Sequence, residues 1–225
     1  MKKRIKIDSS ILSFMIILTG LLFLFRNLYP QNLLVDDVLD FIGIIVLLKG
    51  TVLRMIARGH KKANSNAGGE LVIDGPYLLT RNPMYLGTFL MGSGFILILW
   101  PWWSLPVFAV LFYLRFNKQI RAEEEHLTKI FDKEYKAYCR KIPRLFPKLK
   151  TLLKVRIKDV VSLDEAMDTK EARGLVIWPI AAYIFEIFQQ LLVCGQAQPY
   201  HTFVLFMGAV LAFNVGFVLV YQFKN

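Results

Sequence analysis

Apolar and polar stretches alternate along the chain in blocks, and short polar segments separate apolar runs that are long enough to form membrane-crossing helices. The pattern predicts six membrane spans, at about residues 11–25, 38–57, 84–100, 104–116, 175–193 and 202–221. Only a tight turn at residues 100–103 separates the third and fourth spans, so we expect these two to form a helical hairpin. The predicted fold class is an all-α, polytopic membrane protein.

Lysine and arginine residues are distributed unevenly between the segments that join these spans. If the N-terminus is cytoplasmic, the outside segments contain Arg26 as their single basic residue, whereas the inside segments contain nearly all the others. This asymmetry follows the positive-inside rule. It predicts that both termini are cytoplasmic, and that the third span begins and the fourth ends on the cytoplasmic side. In a prokaryotic source the membrane would be the cytoplasmic (inner) membrane.

Composition favours a membrane, rather than a nucleic acid, as the partner of this basic chain. Of the 225 residues, 55% are hydrophobic, and the formal net charge is +11. Basic residues cluster from Arg140 to Lys158, where they can contact anionic lipid headgroups. The two cysteines and three histidines lie far apart and show neither a disulfide framework nor the spacing of metal ligands. We therefore expect membrane lipids as partners and no nucleic acid or metal, while the oligomeric state is unknown.

The third span follows a polar segment, residues 59–82, which we predict to be a loop. Asn82 is a suitable N-cap, and Pro83 suits the first position of a helix. A helix start exposes backbone N–H groups and the positive end of the helix dipole. With Arg81, Tyr77 and Tyr85 beside it, this end can hold a carboxylate and cover an aromatic or cationic ligand.

The hairpin brings a second polar group back to the same side of the membrane. The fourth span is predicted to continue into the aqueous phase through Glu123 and Glu124, and Tyr135 and Tyr138 follow on one helical face. A carboxylate can accept hydrogen bonds from hydroxyl or ammonium groups. Taken alone, adjacent glutamates are typical of a solvated helix. The two tyrosines are as typical of interfacial anchors as they are of a binding site. Closure of the hairpin would place both groups around one pocket.

In this order and spacing, the motifs resemble the isoprenylcysteine carboxyl methyltransferase and phospholipid methyltransferase superfamily of integral membrane enzymes. The resemblance covers about residues 40–147. The residues that carry it are Gly75-Pro76-Tyr77, Arg81-Asn82-Pro83-Met84-Tyr85-Leu86-Gly87, Glu123-Glu124 with Leu127 and Phe131, Tyr135 with Tyr138, and Pro143-Arg144 with Pro147. Asn82 replaces a common histidine and cannot titrate near neutral pH, so it is not expected to act as a general base. Asp132 replaces a glycine.

The resemblance implies that S-adenosyl-L-methionine binds at the cytoplasmic membrane face and that a lipophilic acceptor enters from the bilayer. Arg81 and Glu124 are the candidate catalytic residues. We expect Glu123 to bind the ribose or amino group of the cofactor, and Glu124 to orient Arg81, Lys141 or Arg144. The predicted cofactor-binding residues are Tyr77, Arg81, Asn82, Pro83, Tyr85, Leu86, Glu123, Glu124, Tyr135 and Tyr138.

The methyl acceptor is left open by the sequence. An isoprenylcysteine-like carboxylate, a lipid amine headgroup, a thiol and a quinone-like phenol all remain candidates. The alternative enzyme is an NADPH-dependent membrane reductase of the sterol-reductase type. Such reductases have an Arg-Asp-Glu-x-x-Cys pattern in the returning helix, where this chain has Ala122-Glu123-Glu124-Glu125-His126-Leu127. A non-enzymatic, lipid-binding membrane protein is the third hypothesis.

The chain divides into an N-terminal pair of spans (1–58), a methyltransferase core (59–150) and a surface helix with a C-terminal pair of spans (151–225). The last two spans lie outside the resemblance. Lys49, Glu186 and Asn214 lie near the middle of predicted spans, where unpaired charges are costly. We therefore expect a Lys49–Glu186 contact close to Asn214 that docks the C-terminal pair against the second span. That Lys49 snorkels to the interface, or that the group lines a substrate cavity, remains open.

Overall fold

The computed structural model describes residues 17–29 and 32–223, which fold into helices joined by turns. A helical segment, residues 17–23, precedes the helices that form the body of the molecule. These are α1 (Leu33–Asn64), α2 (Pro83–Leu99), α3 (Ser104–Lys141), α4 (Leu149–Lys154), α5 (Leu163–Met167), α6 (Gly174–Val193) and α7 (Pro199–Phe223). The predicted all-α class is confirmed for this part of the chain. The start of the predicted first span and both chain termini, with their predicted cytoplasmic placement, lie outside the described residues.

Two stretches of the described chain, Lys170–Val193 and Pro199–Leu219, are long and apolar enough to cross a membrane. They correspond to the predicted fifth and sixth spans. Helix α2 is apolar but has 17 residues. Helices α1 and α3 each join an apolar half to a charged half, and they have 32 and 38 residues. A helical membrane protein is therefore supported, while the six-span arrangement stays a prediction.

The predicted loop at residues 59–82 begins later than expected, because α1 continues to Asn64. Lys61 and Lys62 stand in the last turn of α1, where positive charge is favourable beside the C-terminal end of the helix dipole. The Nζ atom of Lys62 also donates a hydrogen bond to Asp168 at 2.6 Å. The last turn is thus supported by tertiary contacts that the local sequence does not reveal. From Leu71 to Ile73 the chain is extended but forms no strand.

Helices α1 and α2 form the most extensive helix pair in the described structure, and glycines make their close approach possible. A Cβ atom on Gly50 would lie 2.6 Å from the carbonyl oxygen of Gly87, and one on Gly94 would lie 2.6 Å from that of Gly43. Gly87 and Gly94 thus present thin surfaces of α2 to α1. Such small-residue contacts bring helix backbones together in membranes. Gly92 instead faces the ring of Phe108 on α3.

The C-terminal helices dock against α1 as predicted, but through apolar side chains. Ile44 and Leu48 of α1 form one buried cluster with Ala182 of α6 and with Phe206 and Ala209 of α7. The predicted Lys49–Glu186 contact was wrong. The side chain of Glu186 is fully buried and accepts a hydrogen bond from Gln190 at 3.0 Å.

Lys49 and Glu186 do not meet because they lie at different heights along the helix axes. Gly174, at the start of α6, lies beside Thr51, since a Cβ atom there would stand 3.2 Å from the Thr51 side chain. Glu186 lies twelve residues further along α6, about 18 Å at the rise of an α-helix. Lys49 is only two residues from Thr51, so the two charges are separated by roughly 15 Å along the bundle. Asn214 also takes no part, because its amide donates to the carbonyl of Val210 at 2.8 Å.

Helix α3 runs without interruption from the apolar block through Lys118, Arg121 and Glu123, as predicted, and then bends at Asp132. The backbone of Asp132 has φ 26° and ψ −97°. A Cβ atom makes positive φ values costly, and glycine avoids this cost. Glycine is the residue that the superfamily pattern has here, so the departure at this position has a conformational consequence. Lys136 donates to the Asp132 carboxylate at 2.6 Å across the bend.

We predict that Gly50→Ala destabilises the protein by about 1–3 kcal/mol, because the added methyl group would force α1 and α2 apart. Thermal unfolding of the purified protein in detergent would measure the effect. Gly208→Ala is the matched control, since a Cβ atom on Gly208 has no neighbour within 4 Å. A Gly50→Ala protein as stable as Gly208→Ala would contradict the proposed close packing.

We also predict that Asp132→Gly stabilises the protein by about 1 kcal/mol relative to Asp132→Ala, because only glycine relieves the strained φ value. Both variants lose the contact with Lys136, so the difference between their stabilities reports the backbone strain alone. Glycine normally destabilises a helix relative to alanine by a similar amount, so the expected sign is the reverse of the usual one. Equal melting temperatures, or the usual sign, would argue against strain at Asp132.

Candidate functional site

The N-terminus of α2 meets the charged half of α3 where the hairpin closes. Asn82 occupies the N-cap position and Pro83 begins the helix, as predicted. The Asn82 side chain, however, makes no capping hydrogen bond. Its amide instead donates to Glu124 at 3.2 Å and to the carbonyl of Arg144 at 3.0 Å. The predicted capping role of the side chain was wrong, because its oxygen, the atom that would cap the helix, accepts no hydrogen bond from the first turn, while its amide group is turned toward these tertiary acceptors.

Glu124 lies at the centre of this closure, between two arginines. One carboxylate oxygen is 3.4 Å from Nη1 of Arg81, and the other is 3.1 Å from Nε of Arg144. The side chain of Glu124 is 17% exposed, so solvent screens these interactions only partly. Of the three expected partners of Glu124, the structure brings Arg81 and Arg144 to it. Lys141, the third, is not among its contacts.

The chain that follows α3 is held against the chain that precedes α2. The backbone N–H of Arg81 donates to the carbonyl of Pro143 at 2.9 Å, and the hydroxyl of Thr80 donates to that of Arg144 at 3.1 Å. Nη1 of Arg144 donates to the Asn117 side chain at 2.7 Å. These hydrogen bonds fix the two ends of the hairpin relative to one another. The polar groups that make them form one network, so they hold each other in place.

Glu123 and Tyr85 form a second, more exposed contact beside the first. The hydroxyl of Tyr85 donates to the Glu123 carboxylate at 2.7 Å. The Tyr85 ring packs edge-on against Phe116, with 5.6 Å between ring centroids. Glu123 therefore lies at the edge of the α2–α3 interface with a carboxylate that a ligand can approach. Pro83 and Leu86, also predicted as site residues, are buried in helix packing.

The other three of the four predicted site tyrosines form one cluster beside the loop that precedes α2. Tyr77, Tyr135 and Tyr138 are buried, and the hydroxyl of Tyr138 donates to the backbone carbonyl of Tyr77 at 2.7 Å. With Arg81 and Phe131 they line a cavity of about 210 Å³. Burial raises the pKa of all three phenols above its ordinary value, so they are neutral at physiological pH. The cluster thus offers aromatic surface and hydroxyl donors rather than a base.

Arg81 is the residue that joins the cavity to the closure at Glu124. Its Nη1 atom lies 2.7 Å from the sulfur of Cys139, while its Nε atom is buried and has no hydrogen-bond partner in the described structure. Burial alone would lower the pKa of Arg81, but Glu124 and Cys139 raise it above its ordinary value. The guanidinium is therefore permanently charged, and it retains one buried donor that a ligand could satisfy.

Sequence reasoning missed three contributors to this region. Asn117 and Cys139 contact the two arginines, yet neither stands in a motif. The third is His60, which lies 2.9 Å from Asp74, just before the Gly75 turn, and 2.9 Å from Glu165 of α5. The one feature of the sequence that could have indicated a close neighbour here is Gly75. Its φ is +55°, and a Cβ atom on it would lie 2.6 Å from the His60 ring.

Comparison with known proteins finds methyltransferases that resemble the central part of this chain. The family model described as phospholipid methyltransferase matches residues 41–134. Protein-S-isoprenylcysteine O-methyltransferase of Saccharomyces cerevisiae is 32% identical over 109 residues, which are 45% of this chain and 46% of that protein. The enzyme of that name from Schizosaccharomyces pombe is 32% identical over 77 residues, 34% of this chain and 33% of the relative. Protein-S-isoprenylcysteine O-methyltransferase B of Arabidopsis thaliana is 27% identical over 113 residues, 47% of this chain and 57% of the relative.

The resemblance to the isoprenylcysteine carboxyl methyltransferase and phospholipid methyltransferase superfamily is therefore confirmed for the central part of the chain. The chain spans about a third to just over half of the length of these curated relatives. No solved structure matches it. Helices α6 and α7 lie beyond the residues that the family model matches.

We predict that His60 stabilises the fold in acid more than in base. Although burial opposes it, hydrogen bonds to Asp74 and Glu165 raise the pKa of His60 above its ordinary value of 6.5. The folded protein therefore holds this proton more tightly than the unfolded chain does, so the stabilisation is complete below about pH 6.5 and is lost as the pH rises through the folded-state pKa. The melting temperature of His60→Gln should accordingly fall below that of the wild type in mildly acidic buffer and approach it in alkaline buffer.

The control for this measurement is His126→Gln, which removes a histidine that has no ion pair in the described part of the chain. The neighbours that face His60 are Asp74, Glu165 and the amide of Asn64. A destabilisation of His60→Gln that is the same at every pH would mean that packing, not the charge on the ring, is responsible.

Proposed function

We propose that this chain is an integral membrane methyltransferase that transfers a methyl group from S-adenosylmethionine to the carboxylate of a lipophilic, isoprenylcysteine-like acceptor. The observation that carries the proposal is the closure at Glu124. A helix N-terminus, two arginines and an exposed glutamate converge there, within and just beyond the stretch that matches the methyltransferase family. We further propose that Arg81 and Glu124 form the core of the site on the cytoplasmic face of a six-span protein.

The residues present fit S-adenosylmethionine in their chemistry. Glu123 offers a carboxylate for the ribose hydroxyls or the ammonium group, and Arg81 offers a buried Nε donor without a partner. Tyr77, Tyr135 and Tyr138 offer aromatic faces, which attract cations as well as planar rings. The tyrosine-lined cavity, about 210 Å³, lies below the roughly 300 Å³ at which small-molecule pockets begin, so it would hold one end of the molecule. When bound, S-adenosylmethionine supplies an electrophilic methyl group on a positively charged sulfur.

A carboxylate acceptor suits a site that lacks an obvious base. Amine, thiol and phenol acceptors must lose a proton during methylation, whereas a carboxylate needs only alignment and exclusion of water. Asn82 stands where many superfamily members have histidine, and its amide is engaged with Glu124 and Arg144. The tyrosines are neutral donors. The names of the curated relatives, which act on isoprenylcysteine, favour the same acceptor.

A lipid amine headgroup is the second candidate acceptor, because the matching family model is described as phospholipid methyltransferase. Amine methylation would need a proton acceptor. In the described structure Glu70 and His126 line the tyrosine cavity, and we propose His126, the histidine of the two, for that task. An amine acceptor would therefore need His126 as a base, whereas a carboxylate acceptor would not, and this difference can be measured.

Calorimetric titration of the detergent-purified protein with S-adenosylhomocysteine, and separately with NADPH, tests the proposed cofactor. We expect S-adenosylhomocysteine to bind and Glu123→Gln to weaken binding about tenfold or more, as expected for the loss of a charged hydrogen-bond partner. Tyr85→Phe breaks the same Tyr85–Glu123 bond but keeps the carboxylate, so its effect should be smaller. Glu125→Gln, which alters a neighbouring exposed glutamate, should have none. Binding of NADPH alone would favour a reductase, and binding of neither by the folded protein would favour a non-enzymatic lipid-binding protein.

Transfer of labelled methyl groups would then separate the two acceptors. A prenylated cysteine with a free carboxylate should yield a base-labile methyl ester, and His126→Gln should leave this rate nearly unchanged. Phosphatidylethanolamine would instead yield a base-stable methylamine. If only the lipid were methylated, and His126→Gln reduced that rate, the carboxylate proposal would be wrong.

A further inference from the structure

A groove of about 450 Å³ runs between α1 and α7, on a part of the molecule distinct from the closure at Glu124. It is lined by α1 from Ile45 to Ile56, by α7 from Ala212 to Phe217, and by Ile157. Its volume falls within the roughly 300–1,000 Å³ of small-molecule sites. Its walls are apolar, and Lys49 is the one charged side chain among the lining residues. We propose that this groove, called here the Lys49 groove, binds an anionic phospholipid, with an acyl chain between the helices and the phosphate beside Lys49.

The first argument concerns the charge of Lys49. An ammonium group among apolar membrane helices is costly unless it meets an anion or water. Within residues 17–29 and 32–223, no carboxylate forms an ion pair with Lys49, and Glu186 is too deep to reach it. The missing counter-charge is therefore expected to come from outside the chain. A lysine stem can extend along apolar surface while its head meets a phosphate near the interface.

The second argument concerns the cytoplasmic mouth of the groove. Ile157 lies in a short 3₁₀ turn, Ile157–Asp159, that packs against α7. Lys158 and Arg156 flank Ile157, and Arg156 pairs with Asp159 at 3.1 Å. The segment from Arg140 to Lys158 as a whole is rich in basic residues. Clusters of this kind, next to membrane helices, attract anionic headgroups, with about 1 kcal/mol for each basic residue near the surface. Charge at the mouth and charge within the groove thus favour an anionic lipid over a zwitterionic one.

The third argument concerns shape. Gly216 opens the α7 wall of the groove, and a Cβ atom there would have no neighbour within 4 Å. The groove therefore has room for a flexible hydrocarbon chain, and a larger side chain at Gly216 could occupy it without disturbing α1. This binding site does not depend on the proposed methyltransferase activity, and either could be present without the other.

Native mass spectrometry of the detergent-purified full chain, titrated with phosphatidylglycerol or with phosphatidylcholine of the same acyl chains, tests the proposal. We expect one phosphatidylglycerol to bind at least about fivefold more tightly than phosphatidylcholine, which is the preference that one basic residue near the membrane surface provides. Lys49→Met should reduce this preference, because it removes the charge within the groove, whereas Lys49→Arg should retain it. Gly216→Leu should weaken the binding of both lipids, because the leucine side chain fills the groove.

Gly208→Leu is the matched control for the glycine variant, since Gly208 stands elsewhere on α7 and also has open space around its Cβ position. It should bind phosphatidylglycerol as the wild type does. Equal affinity of the wild type for the two lipids, or an unchanged preference in Lys49→Met, would overturn the proposal and leave Lys49 as a snorkelling residue. Appearance of a dimer that Gly216→Leu disrupts would instead make the groove an interface between two copies. If Lys49→Met does not fold, the headgroup preference of the wild type and the two leucine variants still decide the outcome.

Discussion

The close crossing of α1 and α2 is the constraint on which the rest of the structure depends. Gly50 against Gly87, and Gly43 against Gly94, bring the two backbones into contact. At this separation Arg54 of α1 reaches the hydroxyl of Thr88 on α2 and, at 3.0 Å, the carboxylate of Glu171. The hydroxyl of Tyr77 likewise reaches the carbonyl of Ala57 at 3.4 Å. The loop that leads into α2 is therefore positioned by α1, and a wider crossing would release it.

Within this frame, Glu124 determines how the hairpin closes. A partly buried carboxylate between Arg81 and Arg144 compensates two cations, each of which would be costly to leave without an anion. Because both arginines also bond to other groups, Arg81 to Cys139 and Arg144 to Asn117, removal of Glu124 would affect the whole junction. Glu123, one residue earlier on the same helix, remains approachable. Adjacent glutamates thus differ in environment, and the difference follows from the helical rotation of about 100° between neighbouring residues.

The sequence alone predicted the helices well, because long apolar blocks and a Pro at a helix start are local signals. It also predicted that Arg81, Asn82 and Glu124 would meet, since a hairpin brings its ends together whatever its details. It did not predict the Asn82 amide contacts, the Asn117–Arg144 bond or the place of Lys49. These contacts depend on the axial offset between helices and on which hydrogen-bond acceptor is nearest. The hydrophobic periodicity of a single segment predicts neither of the two. The bend at Asp132 was likewise not predicted, although the glycine that the superfamily pattern has at this position is the residue that adopts a positive φ value most easily.

Besides the apolar cluster, polar contacts at the C-terminal end of α1 link the matched core to the segment that precedes α6. His60 bonds to Glu165, Lys62 to Asp168, and Arg54 and Arg58 to Glu171. Each partly exposed pair contributes little by itself. However, Gly59 also packs directly on the backbone of Glu165, and a side chain there would overlap it. Since His60 bonds in addition to Asp74, just before the Gly75 turn, this segment and the loop that carries Tyr77 and Arg81 share one anchor on α1. A change in the C-terminal part of the chain can therefore act on the candidate site through α1.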